Sequence, residues 1–325
     1  MTPVCRVAAI GEILWDLFDN SKTLGGAPLN FAAHTARLGS QILLVSAVGD
    51  DELGHRALAA IRDSGVDMRF IQQAPSFPTG TARVQLGPNG QTSFRIERPA
   101  AYDAVGLSAE DCREIAVWSP AWLYFGTLFA HDVRSRLTLK ALASALPGAS
   151  KFYDVNLRPG CYSPELVLEL LALADVVKMN ETEMSSVAAL AGLPENRLEE
   201  FCAAGSARFG WDAIAVTLGE CGCSVWRRGE YVESPGRRVQ VADTVGAGDA
   251  FAAAMLYGLC RDWSAPAIAD FANQLGSMVA SRPGGTPEWN IDELRVPDRP
   301  FGPPLLPRRS PGAATPRAAP TIQPD

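Results

Sequence analysis

The chain has 325 residues, a formal net charge of −7 and 47% hydrophobic residues, so a large core can form and a chain disordered throughout is excluded. The acidic balance argues against nucleic acid or an anionic membrane as the main partner. No run approaches the roughly 18 apolar residues that a membrane span needs, and no secretory signal opens the chain, so we expect a cytoplasmic protein.

Short apolar runs typical of buried strands alternate with helical patterns along most of the chain. The predicted strands are Val4–Ile10, Ile42–Val48, Trp122–Phe125, Phe152–Val155, Val176–Met179 and Ala213–Thr217. The predicted helices are Pro28–Leu38, Glu52–Arg62, a segment from the Ser108 capping box to Trp118, Arg134–Ala145, Ala247–Leu259 and Ala265–Ser281. This alternation predicts an α/β fold, in which a mostly parallel sheet carries helices on both faces.

One region departs from the alternation. The runs Thr81–Leu86 and Thr92–Ile96 flank a Gly-Pro-Asn-Gly turn signal at residues 87–90. Together with Ile13–Phe18 they predict a small separate β-sheet, formed by about residues 11–24 and 78–103. Ligands of parallel sheets bind at the carboxyl ends of the strands, so a small sheet at that end would act as a lid.

The C-terminal segment differs in composition from the rest. Residues 296–325 hold nine of the 24 prolines and few large apolar side chains. Such a segment cannot bury enough surface to offset its ordering entropy. We therefore divide the chain into one folded domain at residues 1–295 and a Pro-rich disordered tail at residues 296–325.

A Gly-rich segment before the helix at residues 247–259 carries the strongest chemical signal. Small residues at Gly246, Ala247 and Gly248 let backbone N–H groups and the helix dipole face an anion. Asp249 follows in the first turn, where a carboxylate beside an anion site suits a general base. From spacing alone, an ordinary helix start with an acidic first turn stays open as the alternative.

Common motifs for nucleotides and metals are missing from the sequence. None of the four lysines lies in a P-loop, and Phe251 occupies the third glycine position of a dinucleotide fingerprint. The three histidines, His34, His55 and His131, are too far apart for a zinc-protease motif. The seven cysteines are scattered, and we expect them to be reduced thiols.

Five segments in chain order resemble motifs of the ribokinase-like (PfkB) sugar kinase family. They are Gly25–Ala32, Asp154–Arg158, Asn180–Glu183, Thr217–Gly222 and Asp243–Phe251. The similarity extends over roughly residues 5–290. It implies an α/β fold with a β lid, and ATP-dependent phosphorylation of a sugar or nucleoside hydroxyl.

Three residues resemble the family's sugar-binding positions. Gly26 lets the backbone approach a polyol, and Asn30 offers a donor and an acceptor to hydroxyl groups. Asp16 follows the first strand, and its carboxylate can accept two hydroxyl bonds. The alternatives are a helix start with a structural asparagine, and a solvated Asp16.

Other motif residues resemble positions that serve ATP and Mg²⁺. Asn180 and Glu183 resemble a pair that helps to place the metal and phosphate, with Glu183 on the metal side, or they are first-turn groups of a helix. Arg158 would neutralise the transferring phosphoryl group, or pair with Asp154 at the surface. The remaining nucleotide-binding candidates are Thr217, Gly219, Gly222 and Asn273.

The resemblance further allows a K⁺ site and a homodimer. Backbone oxygens near Asp243, Val245 and residues 282–284 would hold the cation. In the dimer, two lids would meet.

The sequences of the lid segment at residues 11–18 and of residues 100–103 resemble those of bacterial fructokinases. The alternatives are 2-keto-3-deoxygluconate kinase and ribokinase. In 2-keto-3-deoxygluconate kinases an arginine binds the carboxylate of the sugar acid. Ile96 falls near that arginine position in this sequence, but its neighbours Arg95 and Arg98 could take the same role. A catalytically silent, kinase-like binding protein is the non-enzyme alternative, and the intact anion site and base argue against it.

Overall fold

A large sheet forms the centre of the structure, a computed structural model that describes residues 4–18, 21–86 and 92–297. The strands are, in chain order, β1 (Arg6–Ile10), β2 (Leu14–Leu17), β3 (Lys22–Gly25), β4 (Gln41–Val48), β5 (Ile71–Gln73), β6 (Gly80–Leu86), β7 (Thr92–Glu97), β8 (Trp122–Gly126), β9 (Ser150–Asp154), β10 (Val176–Asn180), β11 (Ala213–Thr217), β12 (Gly222–Arg227) and β13 (Glu230–Pro235). Nine of these described strands form the large sheet, in the order β13-β12-β11-β10-β9-β8-β1-β4-β5. From β5 to β11 neighbouring strands are parallel, whereas β12 is antiparallel to both of its neighbours.

Helices cover both faces of this sheet, as predicted. They are α1 (Ala27–Arg37), α2 (Glu52–Arg62), α3 (Ala109–Trp118), α4 (Thr127–Ala130), α5 (Val133–Ala145), α6 (Pro164–Leu173), α7 (Glu181–Ala191), α8 (Leu198–Phe209), α9 (Ala247–Leu259) and α10 (Ala265–Ala280). Helices α1, α2, α9 and α10 share one apolar core with the sheet, and α3 and α5 to α8 share the other. The parallel strands are therefore buried on both sides, which explains why they are continuous apolar runs.

Most predicted elements are confirmed, and β11, α2 and α9 have the predicted bounds. The predicted capping box is also present, since Ser108 Oγ accepts the Asp111 N–H at 3.1 Å. The sequence analysis did not predict β12 and β13. These strands are antiparallel and lie at the sheet edge, and charged residues at 227–230 interrupt their pattern.

A second, smaller sheet has the strand order β3-β2-β6-β7, so the predicted separate sheet is confirmed. Asp16, Ala82 and Ile96 are partners in register and therefore share one face of it. On that face, Leu14 and Ala82 pack against Leu128 of α4 in a small apolar cluster. This cluster joins the small sheet to the body of the molecule. The turn predicted at residues 87–90 lies outside the described residues.

Residues 298–325, which make up nearly all of the tail predicted to be disordered, also lie outside the described residues. Within the described part of the chain, no helix is both long and apolar enough to cross a membrane. Cys5, just before β1, forms a disulfide with Cys260, just after α9. The expectation that all cysteines are reduced is therefore wrong for this pair, because the fold brings two partly buried thiols from distant parts of the sequence together.

Candidate active site

Helix α9 begins without a side-chain cap. Its N-cap is Gly246, in the left-handed conformation with φ 78°. The preceding turn is held by Asp243, whose carboxylate accepts the Val245 N–H at 3.0 Å. The Ala247 N–H makes only a long bond, 3.3 Å, to the carbonyl of Thr244. An uncapped helix start with such small residues is suited to bind an anion.

Asp249 stands at the third position of α9, and its carboxylate reaches another helix. Asn30 of α1 donates from Nδ2 to Asp249 Oδ2 at 2.9 Å. Burial, helped by the negative charge of Asp154, raises the pKa of Asp249 to about 6, although Lys178 and Asn30 lower it in part. A carboxylate with this pKa is ionised at neutral pH and is basic enough to accept a proton from a hydroxyl group.

Lys178 of β10 lies beside the start of α9. Its Nζ donates to both carboxylate oxygens of Asp154, at 3.1 and 3.2 Å, and the Tyr124 hydroxyl donates to Asp154 at 3.1 Å. Burial works against the ammonium charge, but the surrounding carboxylates, Asp154 foremost, outweigh it and raise the pKa of Lys178. A Cβ on Gly248 would lie 3.0 Å from Lys178 Nζ. A fixed positive charge therefore stands next to the helix start.

Asp16 of β2 and Asn30 of α1 flank a glycine between the small sheet and the body. A Cβ on Gly25 would lie 3.2 Å from Asp16 Oδ2 and 3.9 Å from Asn30 Nδ2. Burial raises the pKa of Asp16 to about 6, and the positive charge of Arg158 opposes this shift. Asn30 Oδ1 is buried, and no described group donates a hydrogen bond to it. Buried acceptors of this kind are suited to bind hydroxyl groups of a ligand.

Glu12 occupies the connection from β1 to β2 and is buried. The N–H groups of Glu12 itself and of Ala27, the first residue of α1, bind its carboxylate, but burial dominates and raises its pKa to about 7. Its Oε2 has no hydrogen-bonding partner among the residues described. Gly26 packs against the backbone of Glu12. Its φ is 109°, and a Cβ there would lie 2.4 Å from the Glu12 carbonyl oxygen. Only glycine fits at this approach.

A sequence model of the PfkB family of carbohydrate kinases matches residues 9–291. The chain belongs to this family. The kinase is therefore a phosphotransferase whose acceptor is a sugar hydroxyl group.

Relatives of the kinase include fructokinases. It is 31% identical over 281 residues to fructokinase-1 of Oryza sativa subsp. japonica, with 82% of this chain and 85% of the relative covered. An uncharacterized sugar kinase, PH1459 of Pyrococcus horikoshii, has two solved structures, one of them in complex with ATP. Its structure has a TM-score of 0.76 and 28% identity over 89% of this chain and 96% of that one. The fructokinase of Vibrio cholerae O395, solved with fructose, ADP and calcium, has a TM-score of 0.73 and 27% identity over 87% and 95%.

Asn180 and Glu183 of the kinase form a capping box at the start of α7. Asn180 Oδ1 accepts the Glu183 N–H, and Glu183 Oε2 accepts the Asn180 N–H, both at 2.9 Å. Glu183 Oε1 accepts the Leu157 N–H, also at 2.9 Å. Each carboxylate oxygen of Glu183 is thus already bonded to the backbone. The Glu183 carboxylate also fixes the loop that carries Arg158.

The nucleotide-binding candidates lie near β11 and the β12–β13 hairpin. Thr217 is the register partner of Asn180 on the neighbouring strand. Gly219, in the turn before β12, and Gly222, the first residue of β12, have positive φ values of 58° and 107°. A Cβ on Gly222 would lie 2.0 Å from the Ser234 carbonyl oxygen, so this glycine lets the hairpin close. Asn273 of α10 donates to the same carbonyl at 3.2 Å, an anchoring contact that the sequence did not predict.

Sequence reasoning predicted Asp249, Asn30 and Asp16, which the fold brings to one region, but it missed Lys178 and Glu12. Lys178 lies two residues before Asn180 in a strand, so both side chains point to the same face. That spacing was the available signal. Glu12 carried no such signal, because its burial depends on α1 packing against it.

Proposed function

We propose that the chain is an ATP-dependent fructokinase in which Asp249 is the general base. The contact between Asn30 and Asp249 carries this proposal. It joins a candidate sugar-binding residue on α1 to a carboxylate at the uncapped start of α9. A hydroxyl group bound by Asn30 would therefore meet a base and an anion site together.

In the proposed reaction, Asp249 takes the proton of the sugar hydroxyl as its oxygen attacks the γ-phosphorus of ATP in line. The new bond joins the sugar oxygen to phosphorus, and the bond from phosphorus to the bridging oxygen of ADP breaks. The backbone N–H groups of Gly246, Ala247 and Gly248 would stabilise the developing charge on the phosphoryl oxygens. Arg158 and Lys178, whose charges both act on Asp249, would add positive charge.

Mg²⁺ is expected with the nucleotide, and the residues at the end of β10 fit it. Asn180 is exposed there, and the two backbone bonds to Glu183 leave one lone pair on each carboxylate oxygen. Because Mg²⁺ keeps several waters, these two residues would hold the ion through them. When bound, Mg²⁺ supplies charge that neutralises phosphate oxygens.

Asp16, Gly26 and Asn30 would hold the sugar under the small sheet, which would act as the lid. Asp16 offers its carboxylate from the face that packs on the body, and Asn30 offers its unpaired Oδ1. The close packing at Gly26 brings backbone to the same place. A polyol with adjacent hydroxyl groups matches these acceptors.

The arginines of the small sheet favour fructose over a sugar acid. Arg95 is the register partner of Arg83, so it lies on the face opposite to Asp16. Arg98 forms an ion pair with Asp103 and donates to the Leu128 carbonyl at 3.0 Å. Its charge is therefore compensated within the body. Neither guanidinium is thereby offered to a carboxylate of the substrate.

We place the nucleotide base near Thr217, Gly219, Gly222 and Asn273, on the strength of the family motifs. A K⁺ site has some geometric support, because the Asp243 carboxylate binds the N–H groups of Val245 and Gly284, at 3.0 and 3.1 Å. The two loops expected to supply backbone oxygens are thus tied together. Dimerisation through the lid, a single folded domain at residues 1–295 and a cytoplasmic location stay predictions.

A substrate panel tests the proposal. Fructose, ribose, 2-keto-3-deoxygluconate and adenosine are each offered with ATP–Mg²⁺, with and without K⁺, and kcat/KM is measured by ADP release. We expect fructose to have the highest value. Equal or better use of 2-keto-3-deoxygluconate would replace fructokinase by that alternative.

A further inference from the structure

His34 of α1 is fully buried, and both of its ring nitrogens are hydrogen-bonded. The indole N–H of Trp289 lies 3.1 Å from His34 Nδ1. On the other side of the ring, His34 Nε2 lies 3.0 Å from the carbonyl oxygen of Gly285. None of the proposed catalytic steps uses this histidine.

These two contacts define the tautomer of the imidazole. An indole N–H can only donate, so His34 Nδ1 must accept and carry no proton. The proton therefore resides on Nε2, from which it is donated to the Gly285 carbonyl. Burial, together with the charge of Arg37, lowers the pKa of His34 to about 4. The ring thus stays neutral at physiological pH and keeps this tautomer.

The backbone of Gly285 touches two parts of the active site. A Cβ on Gly285 would lie 2.9 Å from Asn30 Nδ2, the atom that donates to Asp249. A Cβ on Gly246, the N-cap of α9, would lie 2.2 Å from the Gly285 carbonyl oxygen. The oxygen held by His34 is therefore in contact with the anion site. A displacement of Gly285 would therefore disturb both Asn30 and the start of α9.

Helix α1 carries three of these contacts on one face. Asn30, His34 and Arg37 are spaced four and three residues apart, so they lie in one row along the helix. Arg37 donates to the Pro287 carbonyl at 2.5 Å, and its guanidinium stacks on the Trp289 ring at 5.4 Å. The loop at residues 284–289 is thereby fastened along α1.

We propose that His34, held between the Trp289 indole and the Gly285 carbonyl, is a positioning residue that fixes this carbonyl and so aligns the start of α9 with Asn30. The inference rests on the proposed function for its effect on rate, whereas the tautomer follows from the two hydrogen bonds alone. Misplacement by 1 Å can cost about 10²-fold in rate. Loss of the His34 contacts is expected to lower kcat more than it changes the KM for sugar.

Trp289→Phe tests the proposal without altering His34. The phenylalanine keeps an aromatic ring but offers no N–H, so His34 Nδ1 loses its donor and the imidazole is held only through the Gly285 carbonyl. The control is Trp211→Phe, because the Trp211 indole also donates to a buried backbone carbonyl, that of Leu171, at 2.9 Å. We expect similar losses of melting temperature in both variants, a fall in kcat of about 10-fold in Trp289→Phe, and unchanged kcat in Trp211→Phe. Equal kcat in the two variants would reduce His34 to an ordinary core residue.

Two further measurements separate positioning from folding and from the proposed function. Nitrogen NMR of the imidazole should find the proton on Nε2 in the parent, and the Nδ1 resonance should shift in Trp289→Phe because this nitrogen no longer accepts a hydrogen bond; a proton on Nδ1 in the parent would overturn the proposal. His34→Gln can both donate and accept, so it should retain more of the parent kcat than His34→Leu, and equal rates in these two would also overturn it. If the parent phosphorylated no sugar, the proposed function would fail, while the NMR result would still decide the tautomer.

Discussion

Helices α7 and α9 each carry a carboxylate at the third position, yet the two helix starts differ. At α7, Glu183 accepts the N–H of the N-cap Asn180 at 2.9 Å, so the carboxylate closes its own helix. At α9, the N-cap is Gly246, which has no side chain, and Asp249 bonds to Asn30 of another helix. A closed helix start has satisfied its N–H groups, whereas an open one can bind an anion. A first-turn acid is therefore free to act as a base at the uncapped helix, whereas at the capped helix the backbone holds it.

The sharpest test exchanges the acid for its amide at both helices. We expect Asp249→Asn to lower kcat by at least ~10²-fold, because the amide cannot accept the hydroxyl proton. Glu183→Gln makes the same change at the same helical position and should lower kcat less, because Glu183 would act on Mg²⁺ only through waters. Steady-state kinetics with fructose, beside a calorimetric Kd for ATP–Mg²⁺, provides the measurement.

ATP affinity should hold or rise in Asp249→Asn, because the anion site is backbone and a nearby negative charge has been removed. Near-normal turnover of this variant, with the protein folded, would mean that another group is the base.

Substitutions at the second position of α9 and of α7 should give a smaller difference in kcat. Gly248→Ala would place a Cβ 3.0 Å from Lys178 Nζ, which displaces the ammonium group and narrows the anion site. We expect kcat to fall by about 10- to 100-fold. Thr182→Ala at the second position of α7 is the control, since Thr182 is exposed. If both variants kept the parent kcat, the start of α9 would not bind the transferring group.

The pH dependence of kcat/KM should reflect the ionisation of Asp249 at the uncapped start of α9. Since burial raises the pKa of Asp249 to about 6, the base is lost as the pH falls through 6, and kcat/KM should drop about tenfold per pH unit below it. Asp16, with its pKa raised to about 6, and Glu12, with its pKa raised to about 7, are the other candidates for this limb, which should also persist in Asp16→Asn. The limb should therefore persist in Glu12→Gln; its disappearance there would assign the titration to Glu12.

Of the two variants, Glu183→Gln should lose more stability, whereas Asp249→Asn should lose more activity. Glu183→Gln turns an amide NH₂ towards one of two backbone N–H groups and should reduce the free energy of unfolding by about 1–2 kcal/mol. The folded-state pKa of Asp249 is raised, so its ionisation costs stability as the pH rises through about 6. Asp249→Asn avoids this cost and should be at least as stable as the parent at pH 8. Urea denaturation of both variants at pH 8 makes the comparison, and a less stable Asp249→Asn would contradict it.

The sequence predicted those parts of the fold and site that are local. The bounds of α9 and β11 follow from continuous apolar runs, and Asp249 follows from the glycines before it. Lys178 was missed because its position in the site depends on its ion pair with Asp154 on the neighbouring strand. The edge strand β13 was missed because it is partly exposed and charged. Asn273 illustrates the same limit, since its contact with Ser234 depends on how β13 packs on α10.

The hydrogen bonds that assemble the site join the two ends of the chain. Asn30 and Asp249 are 219 residues apart, and His34 and Gly285 are 251 apart. During synthesis the small sheet and α1, which carries Asn30, leave the ribosome long before α9 and the loop at residues 284–289 exist. Contacts of such long sequence separation form late, because the intervening loop must be closed first. In a nascent chain, Asp249 and the start of α9 therefore meet Asn30 only after almost the whole folded region has been made.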